Sequence, residues 1–399
     1  MPAERRQPAP QSESGTVRNV AILGSTGSIG ASTLEVIASV PGLGVRVFGL
    51  ACGNNVDVLA GQVERFSPER VVISNEASAN AFRSKAPGDI CVDSGAGALE
   101  ALASHPSVDV VVMAIVGAAA LPPTLAALRA GKTVALANKE CLVMAGDIVM
   151  ETARKAGARI IPVDSEHSAA FQLMTMGRAS EIKRLVITGS GGALRDVPCD
   201  ELSTVTPERA LAHPNWDMGP KVTIDSATSM NKALELIEAH HLFGLPAEAL
   251  GVWVHPQSLV HAVVEYLDGT TVMHASRPDM RLPIQYALSL GRSGRLPGPV
   301  PQAPVDTLSG ILFSEPDPVR LPAIELGLRV CRAGGTLGAV LNAANEVAVD
   351  AFLKRRIPFT KIVGLVREVL DEHANAPSPS LERILDADAE ARKQAAAKL

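Results

Sequence analysis

Residues 19–30 read NVAILGSTGSIG, a short apolar run that ends in three glycines spaced as G-x-x-G-x-x-G. Residues 31–40 have a helical pattern, which Pro41 and Gly42 close. A strand, a glycine turn and a helix in this order are typical of a dinucleotide-binding unit, because the turn lets a pyrophosphate approach the backbone N–H groups and the helix N-terminus. The alternative is a glycine-rich connection that binds nothing. The predicted cofactor-binding residues here are Gly24, Ser25, Thr26, Gly27, Ser28, Ile29 and Gly30.

Further strands alternate with helices after this turn. The apolar runs lie at residues 45–50, 71–73, 108–114, 133–137 and 159–163, and residues 124–130 have a helical pattern between two of them. Alternation of this kind predicts a parallel sheet with right-handed crossovers. We therefore predict an α/β fold class in which residues 17–163 form a Rossmann-like, NADPH-binding domain.

The pattern changes beyond residue 163. Strand candidates at 184–188, 252–255, 260–266 and 271–275 predict a central α+β catalytic domain over 164–290, with a hairpin turning at Gly269. Residues 291–315 contain a Pro- and Gly-rich stretch and are predicted to be a linker. Helical patterns at 322–332, 337–355, 359–373 and 380–397 predict a C-terminal helical bundle over 316–399. Residues 1–16 are polar and Pro-rich and are predicted to be a disordered tail.

Composition excludes several kinds of protein. The net charge is −5, which argues against a nucleic-acid-binding surface. The five cysteines include no C-x-x-C pair, so a disulfide framework or a thiolate zinc site is not expected, and a reducing, cytoplasmic location is. The apolar stretch at residues 110–121 is too short to span a bilayer, so no membrane association is predicted.

The end of the second strand bears on cofactor choice. Residues 50–55 read LACGNN, and no carboxylate follows until Asp57. Domains that bind NAD usually carry an acidic residue here for the ribose 2′-hydroxyl, and a carboxylate would repel a 2′-phosphate. The sequence therefore favours NADP, with Gly53, Asn54 and Asn55 as cofactor-binding candidates, although no Lys or Arg occupies this loop.

Carboxylates follow the strand at 159–163. Asp164 and Glu166 alternate by two, so in an extended backbone both would point the same way. Glu235 is a third candidate, on a predicted helix that Ser226 could cap and that would present Asn231, Lys232 and Glu235 on one face. Oxygen ligands of this type suit Mg²⁺ or Mn²⁺. The alternative is that Asp164 caps the next helix and that Lys232 and Glu235 form a solvated ion pair.

Two further segments suggest a substrate site. Residues 188–192 read TGSGG, a turn whose N–H groups and Ser190 hydroxyl could bind a phosphate; the alternative is a flexible loop. Residues 212–221 read AHPNWDMGPK and have the composition of a lid, with His213 and Trp216 between Pro and Gly hinges. Single His and Trp residues are more often structural, so the interpretation of this segment as a lid depends on the presence of Ser190 and Lys232 as further candidate site residues.

These motifs together resemble the 1-deoxy-D-xylulose-5-phosphate reductoisomerase family. The resemblance covers residues 18 to about 395 and rests on GSTGSIG (24–30), LANKE (136–140), PVDSEHSA (162–169), TGSGG (188–192), HPNWDMG (213–219), DSATSMNKALE (225–235), HPQS (255–258) and PDMR (278–281). It implies an enzyme, a homodimer whose interface lies in the central domain, and the non-mevalonate route to isoprenoid precursors. It also implies NADPH-dependent rearrangement and reduction of 1-deoxy-D-xylulose 5-phosphate to 2-C-methyl-D-erythritol 4-phosphate.

The resemblance also implies roles for individual residues. Asp164, Glu166 and Glu235 would hold the metal; Lys139, Glu166 and His213 would be catalytic, with the main proton-transfer group left open between Lys139 and Glu166. The substrate would meet Ser165, Ser190, His213, Trp216, Met218, Ser226, Asn231, Lys232 and Glu235. The cofactor would also meet Asn138, Glu140 and Gly219.

Two departures and two alternatives accompany the resemblance. Many relatives carry Lys where Asn54 stands, and the motif before residue 281 often begins with Glu where Arg277 stands. The first alternative is an NADP-dependent dehydrogenase of another phosphorylated substrate, which needs neither a second glycine turn nor three metal carboxylates. The second is an inactive NADP-binding sensor, which should lack a metal carboxylate or Lys232.

Overall fold

The computed structural model describes residues 17–84, 86–87, 90–216, 218–289 and 295–399. The tail predicted for residues 1–16 and the start of the linker predicted at 291 lie outside the described residues. Within the described part of the chain, no helix is both long and apolar enough to cross a membrane.

The first sheet has seven parallel strands in the order β4-β3-β2-β1-β5-β6-β7. Its strands are β1 (Arg18–Leu23), β2 (Val45–Cys52), β3 (Arg70–Ile73), β4 (Cys91–Ser94), β5 (Val110–Met113), β6 (Thr133–Leu136) and β7 (Arg159–Pro162). The crossover helices are α1 (Ser28–Ser39), α2 (Val56–Phe66), α3 (Glu76–Arg83), α4 (Ala96–Ala103), α5 (Leu121–Arg129) and α6 (Glu140–Ala156). The predicted Rossmann-like sheet is confirmed. Strand order reverses at β1, which opens a crevice at the carboxyl ends of β1 and β5.

The second sheet has four strands in the order β11-β10-β8-β9. After α7 (Ser165–Leu173) come β8 (Ile182–Gly189), α8 (Pro207–Leu211), α9 (Pro220–Thr228), α10 (Met230–Phe243), β9 (Leu250–Val254), β10 (Val260–Tyr266) and β11 (Thr271–Ala275). Strands β10 and β11 form the predicted antiparallel hairpin. Leu185 and Ile187 of β8 pack into the same core as α10, whereas Val186 belongs to a small cluster on the opposite face.

The remaining helices are α11 (Arg281–Ser289), α12 (Val305–Leu308), α13 (Ala323–Ala333), α14 (Leu337–Leu353), α15 (Lys361–Glu372) and α16 (Leu381–Ala397). The four predicted C-terminal helices are thus present, with ends shifted by two residues or fewer. Helix α14 packs against α15, α16 and α6, so it joins the bundle to the first sheet. Helix α11 contributes Ile284 and Leu288 to the core cluster of β1 and β2. The predicted domain boundaries remain predictions.

Two sequence predictions need correction. The helix predicted from residue 31 begins at Ser28, directly after Gly27, so the third glycine of the turn lies inside α1. Strand β4 was missed, because its sequence Cys-Val-Asp-Ser has no apolar run and its side chains are only partly buried at the sheet edge.

Candidate active site

The glycine turn between β1 and α1 is closely packed at two positions and open at the third. Gly24 has φ of +95°, and a Cβ there would lie 2.5 Å from the carbonyl oxygen of Ala114 at the end of β5. A Cβ on Gly30 would lie 2.4 Å from the carbonyl oxygen of Gly24. At Gly27 the nearest atom would be 3.5 Å away. The turn therefore leaves its middle glycine and the start of α1 accessible, as pyrophosphate binding requires.

The loop after β2 brings its amides next to the end of β3. Asn54 accepts a hydrogen bond through Oδ1 from Nδ2 of Asn75 at 2.6 Å. Asn55 caps α2, its Oδ1 accepting from the N–H of Val58 at 3.4 Å. Neutral polar groups therefore surround Gly53 and these two asparagines, which is compatible with the favoured NADP.

The turn at residues 138–140 joins the first sheet to the second half of the molecule. Asn138 donates through Nδ2 to two backbone carbonyls in the loop after β5, at 2.9 and 3.0 Å, and to Oε2 of Glu140 at 2.9 Å. Glu140 also forms an ion pair with Lys221 at 3.2 Å. Gly219 directly precedes α9, which carries Lys221. The predicted cofactor residues Asn138, Glu140 and Gly219 thus lie between the first sheet and α9.

The three predicted metal ligands converge. Asp164 follows β7, Glu166 lies in the first turn of α7, and Glu235 lies in α10; one carboxylate oxygen from each falls within 4.8 Å of the others. The expected extended backbone at 164–166 is wrong, because α7 begins at Ser165. Asp164 occupies the cap position of α7 without capping it, since its side chain turns to Lys139 and His167.

Two buried lysines compensate the carboxylates. Nζ of Lys139 lies 3.0 Å from Oδ2 of Asp164 and 3.1 Å from Oε1 of Glu235. Nζ of Lys232 lies 2.6 Å from Oε2 of Glu235 and also contacts Glu166. The Lys232–Glu235 pair is therefore enclosed and not solvated, with Glu235 only 1% exposed. The three carboxylates offer an oxygen-only donor set, which fits Mg²⁺.

Burial and neighbouring charges shift these groups in different directions. Burial alone would raise the pKa of Asp164, but the Lys139 charge and the His167 contact hold it well below its usual range. The pKa of Glu235 is raised by burial and by the neighbouring Glu166 carboxylate. Burial opposes the charge of Lys139, yet the surrounding carboxylates raise its pKa.

Two residues behind the carboxylates were not predicted as site residues. Nε2 of His167 donates to the carbonyl oxygen of Glu235 at 2.9 Å, and Nδ1 lies 3.2 Å from Asp164 and 3.4 Å from Glu238. Although burial opposes it, the Glu238 and Asp164 charges raise the pKa of His167 to about 9. Burial raises the pKa of Glu238 to about 7. The i+3 spacing of each from a metal carboxylate, Asp164 or Glu235, was the available sequence signal.

Ser190 and His213 meet at the second glycine turn. Nδ1 of His213 accepts from the N–H groups of Asn215 and Trp216 at 3.2 and 3.0 Å, so the neutral ring carries its proton on Nε2. That N–H donates to Oγ of Ser190 at 3.1 Å, and Oγ also accepts from the N–H of Gly192 at 3.1 Å. The hydroxyl hydrogen of Ser190 is left to donate to a ligand. Burial, and then the Lys232 charge, lower the pKa of His213, which favours this neutral form.

Ser226 does not act as a helix cap. It lies inside α9, and Ser229, in the left-handed conformation with φ of +59°, separates α9 from α10. The predicted shared face of α10 is present, because Asn231 donates to Glu235 one turn further on. Ser226 therefore reaches the site from a different helix than Asn231 and Lys232.

A cavity of about 380 Å³ collects most of these side chains. The predicted residues that line it are Ser28, Ile29, Lys139, Asp164, Ser165, Glu166, Ser190, His213, Trp216, Met218, Gly219, Ser226, Asn231, Lys232 and Glu235. Lining residues that were not predicted include Asn215, Ser258, His261 and Met280. Asn215 donates to Oγ of Ser258 at 3.0 Å, which ties the predicted lid to the loop before β10. The cavity thus borders the cofactor turn, the carboxylates and the second glycine turn at once.

Comparison with protein-family models gives three consecutive matches. Residues 20–146 match the model described as 1-deoxy-D-xylulose 5-phosphate reductoisomerase. Residues 160–243 match the model of the C-terminal domain of that enzyme, and residues 275–394 match a model described as DXP reductoisomerase C-terminal domain. The matches cover most of the first sheet, β8 with α7 to α10, and the C-terminal helices, whereas β9, β10 and nearly all of β11 lie between the second and third matches.

Similar proteins carry the same description. The chain is 48% identical over 378 residues to the 1-deoxy-D-xylulose 5-phosphate reductoisomerase of Pelotomaculum thermopropionicum, covering 94% of this chain and 97% of that protein. It is 50% identical to that of Thermomicrobium roseum, with 94% and 96% covered. The solved structure of the Zymomonas mobilis enzyme in complex with NADPH superposes with a TM-score of 0.88 at 43% identity, covering 95% and 98% of the two chains. A DOX-P reductoisomerase structure with NADPH, fosmidomycin and magnesium gives 0.88 at 39% identity, with 96% and 98% covered.

Proposed function

The chain belongs to the 1-deoxy-D-xylulose 5-phosphate reductoisomerase family, and we propose that the cavity described above is its active site. The chain is an NADPH-dependent enzyme that converts 1-deoxy-D-xylulose 5-phosphate to 2-C-methyl-D-erythritol 4-phosphate and uses magnesium. The observation that carries the assignment of the site is the convergence of Asp164, Glu166 and Glu235 in a cavity that also borders the cofactor turn. A dehydrogenase without rearrangement would not need this carboxylate group.

Each part of the cavity has a proposed task. Asp164, Glu166 and Glu235 would hold a divalent cation, which when bound supplies Lewis-acid polarisation of the substrate carbonyl and its neighbouring hydroxyl. The Ser190 hydroxyl would donate to the phosphate, and Ser226, Asn231 and Lys232, which also line the cavity, would bind the phosphate with it. Lys232 also brings a positive charge to that phosphate.

The other predicted residues orient the substrate and exclude water. Ser165 and Lys139 face the cavity beside the carboxylates and would contact the carbon chain and its hydroxyls. Lys139 keeps its ammonium charge there, so it stabilises negative charge that develops as the carbon–carbon bond shifts. The proton is moved by Lys139 or Glu166. Trp216 and Met218 cover the cavity, and hydride from NADPH bound at the 24–30 turn then reduces the aldehyde.

Three finer assignments are also proposals. Mn²⁺ would replace Mg²⁺, because both accept an oxygen-only ligand set. A cytoplasmic location is supported by the five cysteines, all of which are free thiols. A homodimer is supported by the face of the second sheet opposite α10, where Met273, paired with Val263, is 45% exposed and Leu267 at the hairpin is 68% exposed. Cell fractionation tests the cytoplasmic location, and light scattering tests the homodimer. A monomer at micromolar concentration would refute the dimer.

The experiment that tests the function follows NADPH oxidation with 1-deoxy-D-xylulose 5-phosphate. We expect turnover with Mg²⁺ or Mn²⁺, loss of turnover after chelation, and a higher kcat/KM for NADPH than for NADH. Folded protein that shows no turnover with metal present would refute the function. Equal kcat/KM for the two cofactors would refute the inference drawn from the missing carboxylate at residues 50–56.

A further inference from the structure

Lys221, Glu140 and Asp225 form a second buried ion cluster, next to the cavity but separate from its lining. Nζ of Lys221 lies 3.2 Å from Oε1 of Glu140 and 2.8 Å from Oδ2 of Asp225. Asp225 is completely buried and Glu140 is 5% exposed. Glu140 begins α6, whereas the other two lie one turn apart in α9. Charges buried this far need fixed partners, so the cluster sets the position of α9 relative to the 138–140 turn.

Two asparagines complete the cluster from other parts of the fold. Asn345 of α14 donates through Nδ2 to Oδ1 of Asp225 at 2.8 Å. Asn138 donates to Oε2 of Glu140 at 2.9 Å and also holds the loop after β5. Every carboxylate oxygen of the cluster therefore has a contact with Lys221 or with an amide. The first sheet, the second half and the C-terminal bundle all meet at this point.

Helix α9 transmits this position to the active site. The predicted lid, residues 212–221, ends in the first two residues of α9, and Oγ1 of Thr223 donates to the carbonyl oxygens of Met218 and Gly219 at 3.3 and 3.0 Å. Ser226, a little more than one turn after Lys221, lines the cavity. Among the described residues, the cavity lining includes Val222 and Ser226 but not Lys221. A shift of the start of α9 would therefore move the lid and Ser226 together.

We propose that Lys221 is a positioning residue. It holds the lid and the phosphate end of the cavity, at Ser226, in position relative to the 138–140 turn. Its ion pair with Glu140 ties the N-terminal end of α9 to α6, its pair with Asp225 lies within α9, and Asn345 ties Asp225 to α14. Lys221 touches no substrate and acts only through α9 and the 138–140 turn. The identity of the ligand in the cavity rests on the proposed function. The contacts that join Lys221, α9 and the 138–140 turn do not.

The test compares Lys221→Met with Lys221→Arg and with Lys354→Met, a control that removes an exposed ion pair to Asp350. Hydrogen exchange is measured first, on protein without ligand. In Lys221→Met we expect the amides of α9 and of the first turn of α6 to exchange about tenfold faster, because local opening no longer breaks an ion pair. Amides outside α6 and α9 that exchange through local opening should not change, and Lys221→Arg should restore most of the protection.

Ligand binding is measured second, with fosmidomycin as the probe and Trp216 fluorescence as the reporter. The chain has two tryptophans, so Trp253→Phe leaves Trp216 as the only one. In this background we expect Lys221→Met to raise the half-saturating concentration about tenfold, because only the fraction with α9 in place binds. Lys354→Met should leave it unchanged.

The results of these measurements distinguish the positioning role of Lys221 from the proposed function. Unchanged α9 exchange and unchanged fosmidomycin binding in Lys221→Met overturn the positioning role. If Lys221→Met does not fold, Glu140→Gln decides: it should change both measurements in the same direction by a smaller factor, and no change overturns the role. If the unaltered chain has no turnover, the proposed function fails, and hydrogen exchange still decides the role of Lys221.

Discussion

Two buried ion clusters are built from the same kinds of side chain, but only one of them lines the cavity. The cavity cluster contains Asp164, Glu166, Glu235, Lys139 and Lys232, and the enclosed cluster contains Glu140, Asp225 and Lys221. In the cavity cluster three carboxylate oxygens lie within 4.8 Å of one another, which is unfavourable without cations. In the enclosed cluster each carboxylate oxygen meets Lys221, Asn138 or Asn345.

The comparison of the two clusters indicates which buried charges bind a ligand and which hold the helices in position. Each cluster has one carboxylate more than it has lysines, so the number of charges does not distinguish them. Carboxylates that line a cavity can take a ligand, whereas carboxylates shut off from it contribute to geometry. The cavity cluster should therefore respond directly to metal, whereas the enclosed cluster should not respond to metal and should affect ligand binding only through the position of α9. Each of the following experiments tests that division.

The largest effect is expected for Glu235→Gln. The change keeps the shape of the most enclosed carboxylate but removes a metal ligand, so kcat should fall about a thousandfold or more and Mg²⁺ affinity should weaken. Initial rates across a Mg²⁺ titration measure both. Glu140→Gln should lower kcat far less at saturating Mg²⁺, without a change in Mg²⁺ affinity.

Glu248→Gln, which alters an exposed partner of Arg332, serves as the control. It should match the unaltered chain. Near-normal activity of Glu235→Gln would show that α10 does not contribute the third ligand.

Stability should separate the clusters next. Lys221→Met leaves Glu140 and Asp225 buried without their cation, which should cost about 3–5 kcal/mol of unfolding free energy, with or without Mg²⁺. Lys232→Met exposes its carboxylates to a cavity that admits water and metal, so the cost should be smaller and should shrink as Mg²⁺ is added. Urea unfolding of both variants, with Mg²⁺ or with chelator, measures the two costs. An equal Mg²⁺ dependence in both variants would contradict the division between the clusters.

The same division explains what the sequence could predict. The Rossmann-like sheet, the β10–β11 hairpin and the C-terminal helices follow from local periodicity, and all are present. The convergence of Asp164, Glu166 and Glu235 was predicted, but for a wrong local reason, since α7 begins at Ser165. The role of Ser226 as a cap was wrong because the boundary between α9 and α10 depends on the left-handed backbone of Ser229, which the sequence pattern did not reveal.

The enclosed cluster could not be predicted from spacing. Lys221 and Asp225 are one turn apart, but Glu140 and Asn345 are 81 and 120 residues away from their respective partners, Lys221 and Asp225. Only the packing of α14 against α6 and α9 brings them together. Local patterns together with the family motifs identify most of the residues that line the cavity in this chain, whereas the residues that fix those segments relative to one another depend on tertiary contacts.

The smallest effects are expected for two uncharged side chains, Ser190 at the cavity and Thr336 in the interior. Ser190 lines the cavity, whereas Thr336 is fully buried, with Oγ1 contacting Nε2 of His373 at 2.8 Å and accepting from the N–H of Ala376 at 3.2 Å. Ser190→Ala should raise the substrate KM about tenfold, because a donor to a charged phosphate is lost.

Thr336→Val should instead cost about 1–3 kcal/mol of unfolding free energy, because it leaves buried polar partners unsatisfied, and should leave KM unchanged. Steady-state kinetics and urea unfolding of both variants provide the four values. A KM change in Thr336→Val, or a loss of stability in Ser190→Ala as large as that in Thr336→Val, would show that the cavity wall and the enclosed framework are not separable. Independent responses would mean that the phosphate end of the cavity can change its ligand contacts without weakening the helices that hold it.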